Sequence, residues 1–394
     1  MEFTLKKRGA LHSEMGRPII GEMSTFSDTL KTLIKKIRQA NEGFGATSIL
    51  TELEHKYAYT KKDLPSRSTI TAFLKKEGLT KIYERHSNLP TKPYYSPTHA
   101  HQLWQLDGRG NEQVEGVGTI ALLDIKDVYS CTYVSYFPSR MKTKNHHPTA
   151  NDYQITLRLG FMQYGLPKGI QVDHASVFYE NKSKSPFPTR LHLWIVGLGI
   201  KLHYSRVHRP TDQAKVERSH EIVFNQVLKG RKKFKNWTHL FVKVKERVHY
   251  LNYLIPSTSC NDQPPLVACP QAAHSGRNYN PLTEQRLLNM DIVYDYLTRC
   301  KWYRKVASNK TVSLGGQVYY LTESKPKEQL EIVFCNSCKH LLFHNDNELL
   351  IDMLPIKGMT PEYLMGKLGD LYKIPTLQLS IPFDWEDESL AQLF

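Results

Sequence analysis

The apolar positions of this chain change their spacing from one region to the next. In residues 27–40, SDTLKTLIKKIRQA, the residues Leu30, Leu33, Ile34 and Ile37 recur at helical spacing with a basic opposite face. A second short helix is predicted over 46–55. A third begins in the run Pro65-Ser66-Arg67-Ser68-Thr69, where Ser66 or Ser68 can cap it and Ile70, Phe73 and Leu74 turn inward before Gly78 stops it. Three short helices, the last basic on its outer face, fit a helix-turn-helix with its recognition helix at about 66–77. A plain helical bundle fits the pattern equally well, and only the basic charge tips the reading toward DNA.

The period then shifts. Residues 86–100 carry three prolines and no periodicity, which reads as a linker. Strands are predicted at 103–107, 118–125 and 129–137, the last rich in β-branched and aromatic residues. A helix over 150–163, a strand at 169–173, a helix over 187–198, a strand at 200–204 and a helix over 211–229 follow. This order predicts an α/β fold with a mixed five-stranded sheet. In the last helix, Arg209-Pro210 reads as an extended entry and Thr211 or Asp212 as the cap. Beyond a basic turn, GRKKFK, come a helix over 237–254, an irregular stretch at 256–280 and a helix over 282–300. Short strands broken by Asn-Lys and Gly-Gly turns then suggest a small β-barrel. The expected divisions are 1–85, a linker at 86–100, a core at 101–255, a linker and helix at 256–300, the barrel at 301–358 and an acidic tail at 359–394.

Charge changes this picture. The net charge is +15, and residues 201–250 alone hold thirteen Lys and Arg against four Asp and Glu. Residues 1–100 hold seventeen against ten, whereas 341–394 hold three against nine. Basic fields this dense favour a nucleic-acid partner. There is no apolar run long enough for a membrane span and no signal-peptide core at the N-terminus. Six dispersed cysteines read as reduced thiols, which suits a cytoplasmic, nucleoid-associated protein.

Candidate chemistry comes from three acids. Asp107 ends the first predicted core strand, Asp173 ends the fourth, and Glu217 lies one to two turns into the last core helix. Strand ends of an open sheet are where ligands bind. Three carboxylates converging there would repel one another unless a divalent cation joined them. Mg²⁺, with Mn²⁺ as substitute, suits such oxygen ligands, and two ions can serve phosphodiester cleavage. Glu221, one turn after Glu217, could stand in as the third acid, while Asp124 and Asp127 read as turn residues. His174, directly after Asp173, reads as a surface imidazole ahead of a place near the metals, and Trp104 and Trp302 as packing residues ahead of DNA contacts. Cys335, Cys338, His340 and His344 mimic zinc ligands, but the two pairs are nearly fused in strand-like sequence.

The segments HQLWQLDG, GIQVDHASVF and RVHRPTDQAKVERSH, with the tail KWYRKVASNKTVSLGGQVYYL, resemble the DDE transposases and integrases of the retroviral-integrase superfamily, especially bacterial insertion-sequence transposases. The resemblance spans most of 30–355 and implies an RNase H-like core between a helix-turn-helix region and a small β-barrel. It assigns Asp107, Asp173 and Glu217 as the catalytic, metal-binding triad, with 43 residues between the last two, a gap longer than in the retroviral enzymes. The DNA contacts expected on this reading are Arg67, Lys75, Lys76, Arg209, Lys215, Arg218, Arg231, Lys232 and Lys233. The resemblance further implies cleavage at element ends, joining to target DNA and a homo-oligomer on DNA, and leaves room for a helper ATPase as partner. A nuclease without joining activity and a non-catalytic, transposase-derived regulator are the rival readings.

Overall fold

Period-two strands and period-3.6 helices settle into one mixed sheet with helices on both faces. The computed structural model describes residues 23–80, 96–141, 147–180, 183–206, 210–230 and 233–374; the expected DNA contacts Arg209, Arg231 and Lys232 lie outside them. The strands are β1 (Trp104–Val114), β2 (Gly118–Asp127), β3 (Tyr133–Arg140), β4 (Gly169–Val172) and β5 (Lys201–Tyr204), in the spatial order β3-β2-β1-β4-β5. β1, β2 and β3 pair antiparallel, whereas β4 pairs parallel with both β1 and β5. Three antiparallel strands flanked by two parallel ones are the topology of an RNase H-like core.

β1 runs seven residues past Asp107, because DGRGNEQV forms a hairpin arm against β2 with an irregularity between Arg109 and Glu112. Its glycines and asparagine suggest a loop, yet Asn111 adopts positive φ and lets pairing resume at Glu112↔Ile120. Asp107 therefore sits within a strand rather than at its end, a correction to the sequence expectation.

Alternation along β1 and β2 divides the sheet into two faces. Leu106, Leu123 and Ile125 join Trp104, Phe161, Trp194 and Trp302 in the main core, under α4 (Ala150–Tyr164) and α5 (Arg190–Gly197). The opposite face packs Ile120, Leu122 and Tyr136 against Val223, Leu240 and Val244 of α6 (Ala214–Val223) and α7 (Trp237–Tyr253). α5 begins later than expected because Pro186 and Pro188 precede its cap, Thr189, whose side chain accepts from His192 N. α6 is preceded by a 3-10 turn, Pro210–Gln213, and followed by a π-helical turn, Phe224–Leu228. Gln213 occupies its cap position without a side-chain bond, while Asp212 is drawn away by Arg206, whose guanidinium reaches it at 2.7 Å. Asp212 does not cap α6.

Ahead of the core, α1 (Asp28–Ala40), α2 (Ala46–Lys56) and α3 (Arg67–Lys76) close their own core around Leu30, Ile34, Ile49, Leu53, Ile70 and Phe73. Ser66 caps α3, accepting from Thr69 N at 3.2 Å. Ten residues, 57–66, separate α2 from α3. That is longer than the three to four residues of a tight helix-turn-helix connection, because a turn closed by Asp63 N to Thr60 O and Pro65 intervene. The helical group touches the core where Gly43 meets the π-turn: a Cβ on Gly43 would lie 1.8 Å from Asn225 O.

The predicted helix over 282–300 is broken at Asn289, whose side chain caps a new helix, Met290–Thr298. Strands β6 (Lys301–Lys305), β9 (Gln329–Cys335), β10 (His340–His344) and β11 (Leu350–Pro355) form a four-stranded antiparallel sheet in the order β11-β10-β9-β6, and β7 (Thr311–Leu314) and β8 (Gln317–Tyr320) a separate hairpin, rather than one hydrogen-bonded ring. Val306 and Leu321 are buried in the main core cluster, so layering rather than edge pairing unites these strands with the rest. Finally, the expected acidic tail begins as packed structure. Leu364, Leu371 and Ile374 are buried, and Gln154 of α4 donates to Leu364 O at 2.8 Å. Residues 375–394, including the terminal acidic-aromatic stretch, lie outside the described residues.

Candidate active site

Three elements bring the three acids into one electrostatic neighbourhood. Asp107 lies on β1, Asp173 directly follows β4, and Glu217 lies in the first turn of α6. Burial raises the Asp107 carboxyl above its usual range, partly offset by the Gly108 N–H. Asp173 is raised by burial and by the charge of Asp107, against the Ala175 N–H, which donates to it at 3.0 Å. Glu217 is raised by burial and again by Asp107. Among the described residues, no lysine or arginine forms an ion pair with any of the three; His220 lies 3.6 Å from Asp107, and His174 acts to lower the adjoining Asp173. Burial holds the His220 imidazole down to about 4, so at neutral pH it carries no compensating charge.

Glu221 sits differently. It forms an exposed ion pair with Arg218, its partner on the same helix face. Asp107 thus acts electrostatically on Glu217, while Glu221 is occupied by a neighbouring cation.

Helix α6 is seated by polar groups of the sheet. The Gln105 side chain donates to Asp212 O at 2.6 Å and accepts from Val216 N at 3.3 Å, and Gln171 also donates to Asp212 O. Further along, the Ser219 hydroxyl donates to the carboxylate of Asp124. Asp124 is fully buried in mid-strand and faces Asp107 directly across the β1/β2 ladder. Burial pushes it up to about 7, against the Ser219 bond and the charge of Lys126. The turn reading of Asp124 is therefore wrong. Asp127 does organise a turn: it accepts from Ser130 N at 2.8 Å and from His101 N at 2.9 Å.

Two further neighbours escaped the sequence. Tyr153 of α4 feels the charges of Asp173 and Asp107, which together with burial raise its phenol well above its usual range. A Cβ on Gly108 would lie 2.6 Å from the Tyr153 hydroxyl, so the glycine after Asp107 gives the phenol its place. His174 is no open surface imidazole: it stacks on Tyr204 at 5.3 Å between ring centroids. Trp104 and Trp302 are buried.

Among the described residues, no three His, Cys, Asp or Glu side chains stand close enough to make a ready-formed metal cluster, neither at the acids nor around Cys335 and Cys338. The donor set nevertheless fits a hard divalent cation. It consists of three carboxylates, each held toward its protonated form by burial, with Asp107 adding to the rise at Asp173 and Glu217.

Of the expected DNA contacts, Lys75 and Lys76 project from the end of α3 and are exposed. Arg67 is exposed but reaches Asp262 at 3.5 Å, and Lys233 reaches Glu115 at 3.3 Å. Lys215 turns its ammonium onto the Val128 carbonyl, and Arg218 pairs with Glu221. As placed, both are committed within the chain rather than free toward a ligand.

Residues 198–265 match the family model described as the integrase core domain, a stretch holding β5, α6 and α7 with Glu217. Among solved structures, the chain is similar to the HTLV-2 integrase catalytic core domain in complex with magnesium, with 16% identity over 41% of this chain and 93% of that one and a TM-score of 0.31. It is also similar to a chain of the simian T-cell lymphotropic virus intasome in complex with PP2A regulatory subunit B56 gamma, with 15% identity over 78% of this chain and 96% of that one and a TM-score of 0.36. A third match is the catalytic core domain of BIV integrase, with 14% identity over 42% and 92% and a TM-score of 0.30. The strand order of the sheet, not these distant likenesses, carries the fold. What the chain shows is thus a sheet in RNase H-like order, with the match to the integrase core domain confined to residues 198–265.

Proposed function

We propose that this protein is a DNA transposase that hydrolyses a phosphodiester at its element's ends and joins the exposed 3′-OH to target DNA. What supports the reading is the placement of the three acids: Asp107 on β1, Asp173 directly after β4, which pairs with β1, and Glu217 in the first turn of α6, whose start Gln105 and Gln171 hold to those two strands. Asp107, Asp173 and Glu217 would hold Mg²⁺ or Mn²⁺. Bound there, such ions would activate the attacking oxygen and stabilise the leaving one.

The protein's own residues have distinct tasks. Gln105 and Gln171 hold the start of α6, so that Glu217 rides on a helix fixed to β1 and β4. His220 remains neutral beside Asp107 and leaves its negative charge uncancelled. Exposed Lys75 and Lys76, with the basic segment 229–235, supply phosphate contacts that orient the strand. Holding two ends at once calls for more than one copy of the chain on DNA.

The test uses duplexes carrying the terminal sequences that flank the protein's own reading frame, with Mg²⁺. Cleavage that exposes a 3′-OH, followed by joining, is expected from the natural protein. Asp107→Asn and Asp173→Asn should abolish both while leaving gel-shift affinity nearly intact, since the basic surface is kept. Cleavage without joining would make the protein a nuclease, and binding with neither step would make it a regulator.

A further inference from the structure

Asp124 is a fully buried acid that the proposed chemistry does not use. It stands between Leu123 and Ile125 in β2, a place where an aliphatic residue would cost nothing to bury. One of its oxygens accepts from Ser219; the other, Oδ1, is buried with no hydrogen-bond partner among the described residues. The ladder sets it opposite Asp107, and Ser219 follows Glu217 by two residues on α6. One hydrogen bond therefore links the strand beside Asp107 to the helix that carries Glu217.

We infer that Asp124 and Ser219 are positioning residues, a latch that fixes the rotation of α6 so that Glu217 is presented to the same divalent ions as Asp107. The inference rests on reading Asp107 and Glu217 as metal-binding groups. Helix α6 is pinned near its start by Gln105, which accepts from Val216 N. Lys215, in the same first turn, adds a bond to the Val128 carbonyl. Ser219 anchors the helix further along, on β2 itself, and anchors at both places fix the rotation. His220, beside Ser219, lies 3.6 Å from Asp107 and 3.4 Å from the Tyr136 hydroxyl, so a turn of the helix would also displace the imidazole beside Asp107. Outer partners that orient metal-binding side chains typically change metal affinity about 10- to 100-fold when removed.

The experiment measures Mn²⁺ binding to the full-length protein by electron paramagnetic resonance, alongside gel-shift affinity for DNA and the Mg²⁺ dependence of end cleavage. Ser219→Ala should weaken Mn²⁺ binding roughly tenfold or more and raise the Mg²⁺ needed for cleavage, with DNA affinity unchanged. Asp124→Asn keeps an acceptor for the Ser219 hydroxyl and should retain most of the metal affinity. The double variant Asp124→Ala with Ser219→Ala leaves no buried orphan, so it stays informative if the single change unfolds the chain. It too should bind Mn²⁺ weakly. Natural Mn²⁺ affinity in either alanine variant would overturn the latch. If the unaltered protein binds no Mn²⁺ and cleaves nothing, the triad reading fails first and the latch with it.

Discussion

Asp107 and Asp124 are opposite one another in the same ladder, yet only the first was legible as functional. Asp107 stands in WQLDG, where an apolar run breaks at an acid, and motif, spacing and strand all single it out. Asp124 stands in LLDIKD, where an acid near a strand end reads as a turn. Its burial and its bond to Ser219 arise from a helix that follows it by about ninety residues, a distance no local pattern spans. The same holds for His192, predicted only as part of a helix. Burial holds its imidazole down to about 4, with its Nδ1 3.0 Å from the Tyr204 hydroxyl. An unfolded chain takes up that proton near 6.5, the folded chain only near 4. Stability from His192 is therefore complete above about pH 6.5 and is lost as pH falls toward 4. Asp124 runs the opposite way, its raised carboxyl favouring the fold as pH falls. The difference between variants isolates the histidine. His192→Gln should lose up to roughly 3 kcal/mol less than the natural protein between pH 7 and 4, read from urea midpoints. Parallel pH curves would contradict this assignment.

At the scale of elements, the helices and strands of the core were mostly legible, and the failures share a cause. β1 was predicted seven residues short because glycine and asparagine mimic a loop where they build an irregular hairpin arm. The helix predicted over 282–300 proved to be interrupted, because Asn289 serves better as a cap than as a helical residue. What no periodicity could reveal is the ionic joint between α4 and the chain beyond the core. Arg158 is fully buried in α4 and grips Glu284 with two bonds of 2.7 and 2.6 Å, while also donating to Met365 O at 2.7 Å. Glu284 accepts in addition from Trp194 and Tyr279. Arg158→Met should therefore cost about 3–5 kcal/mol in urea unfolding, because it strands a buried carboxylate. Adding Glu284→Leu should recover much of that loss. A neutral single variant would show that the joint contributes little.

At the scale of the molecule, the charge distribution pointed to nucleic acid before any element was placed, and the sheet order then supplied an RNase H-like core. The acidic C-terminal region was misjudged as a tail from residue 359, because its charge hid three apolar anchors, Leu364, Leu371 and Ile374, that seat it on the core. Sequence also left Glu217 and Glu221 as rivals one turn apart, since helical spacing puts both on one face. Their surroundings separate them: Asp107 acts on Glu217, while Arg218 neutralises Glu221. The most direct test of the whole account is Mg²⁺-dependent end cleavage by Glu217→Gln and Glu221→Gln side by side. The account predicts that the first loses cleavage and joining while binding end DNA, and that the second keeps both. Near-natural cleavage by Glu217→Gln would contradict it.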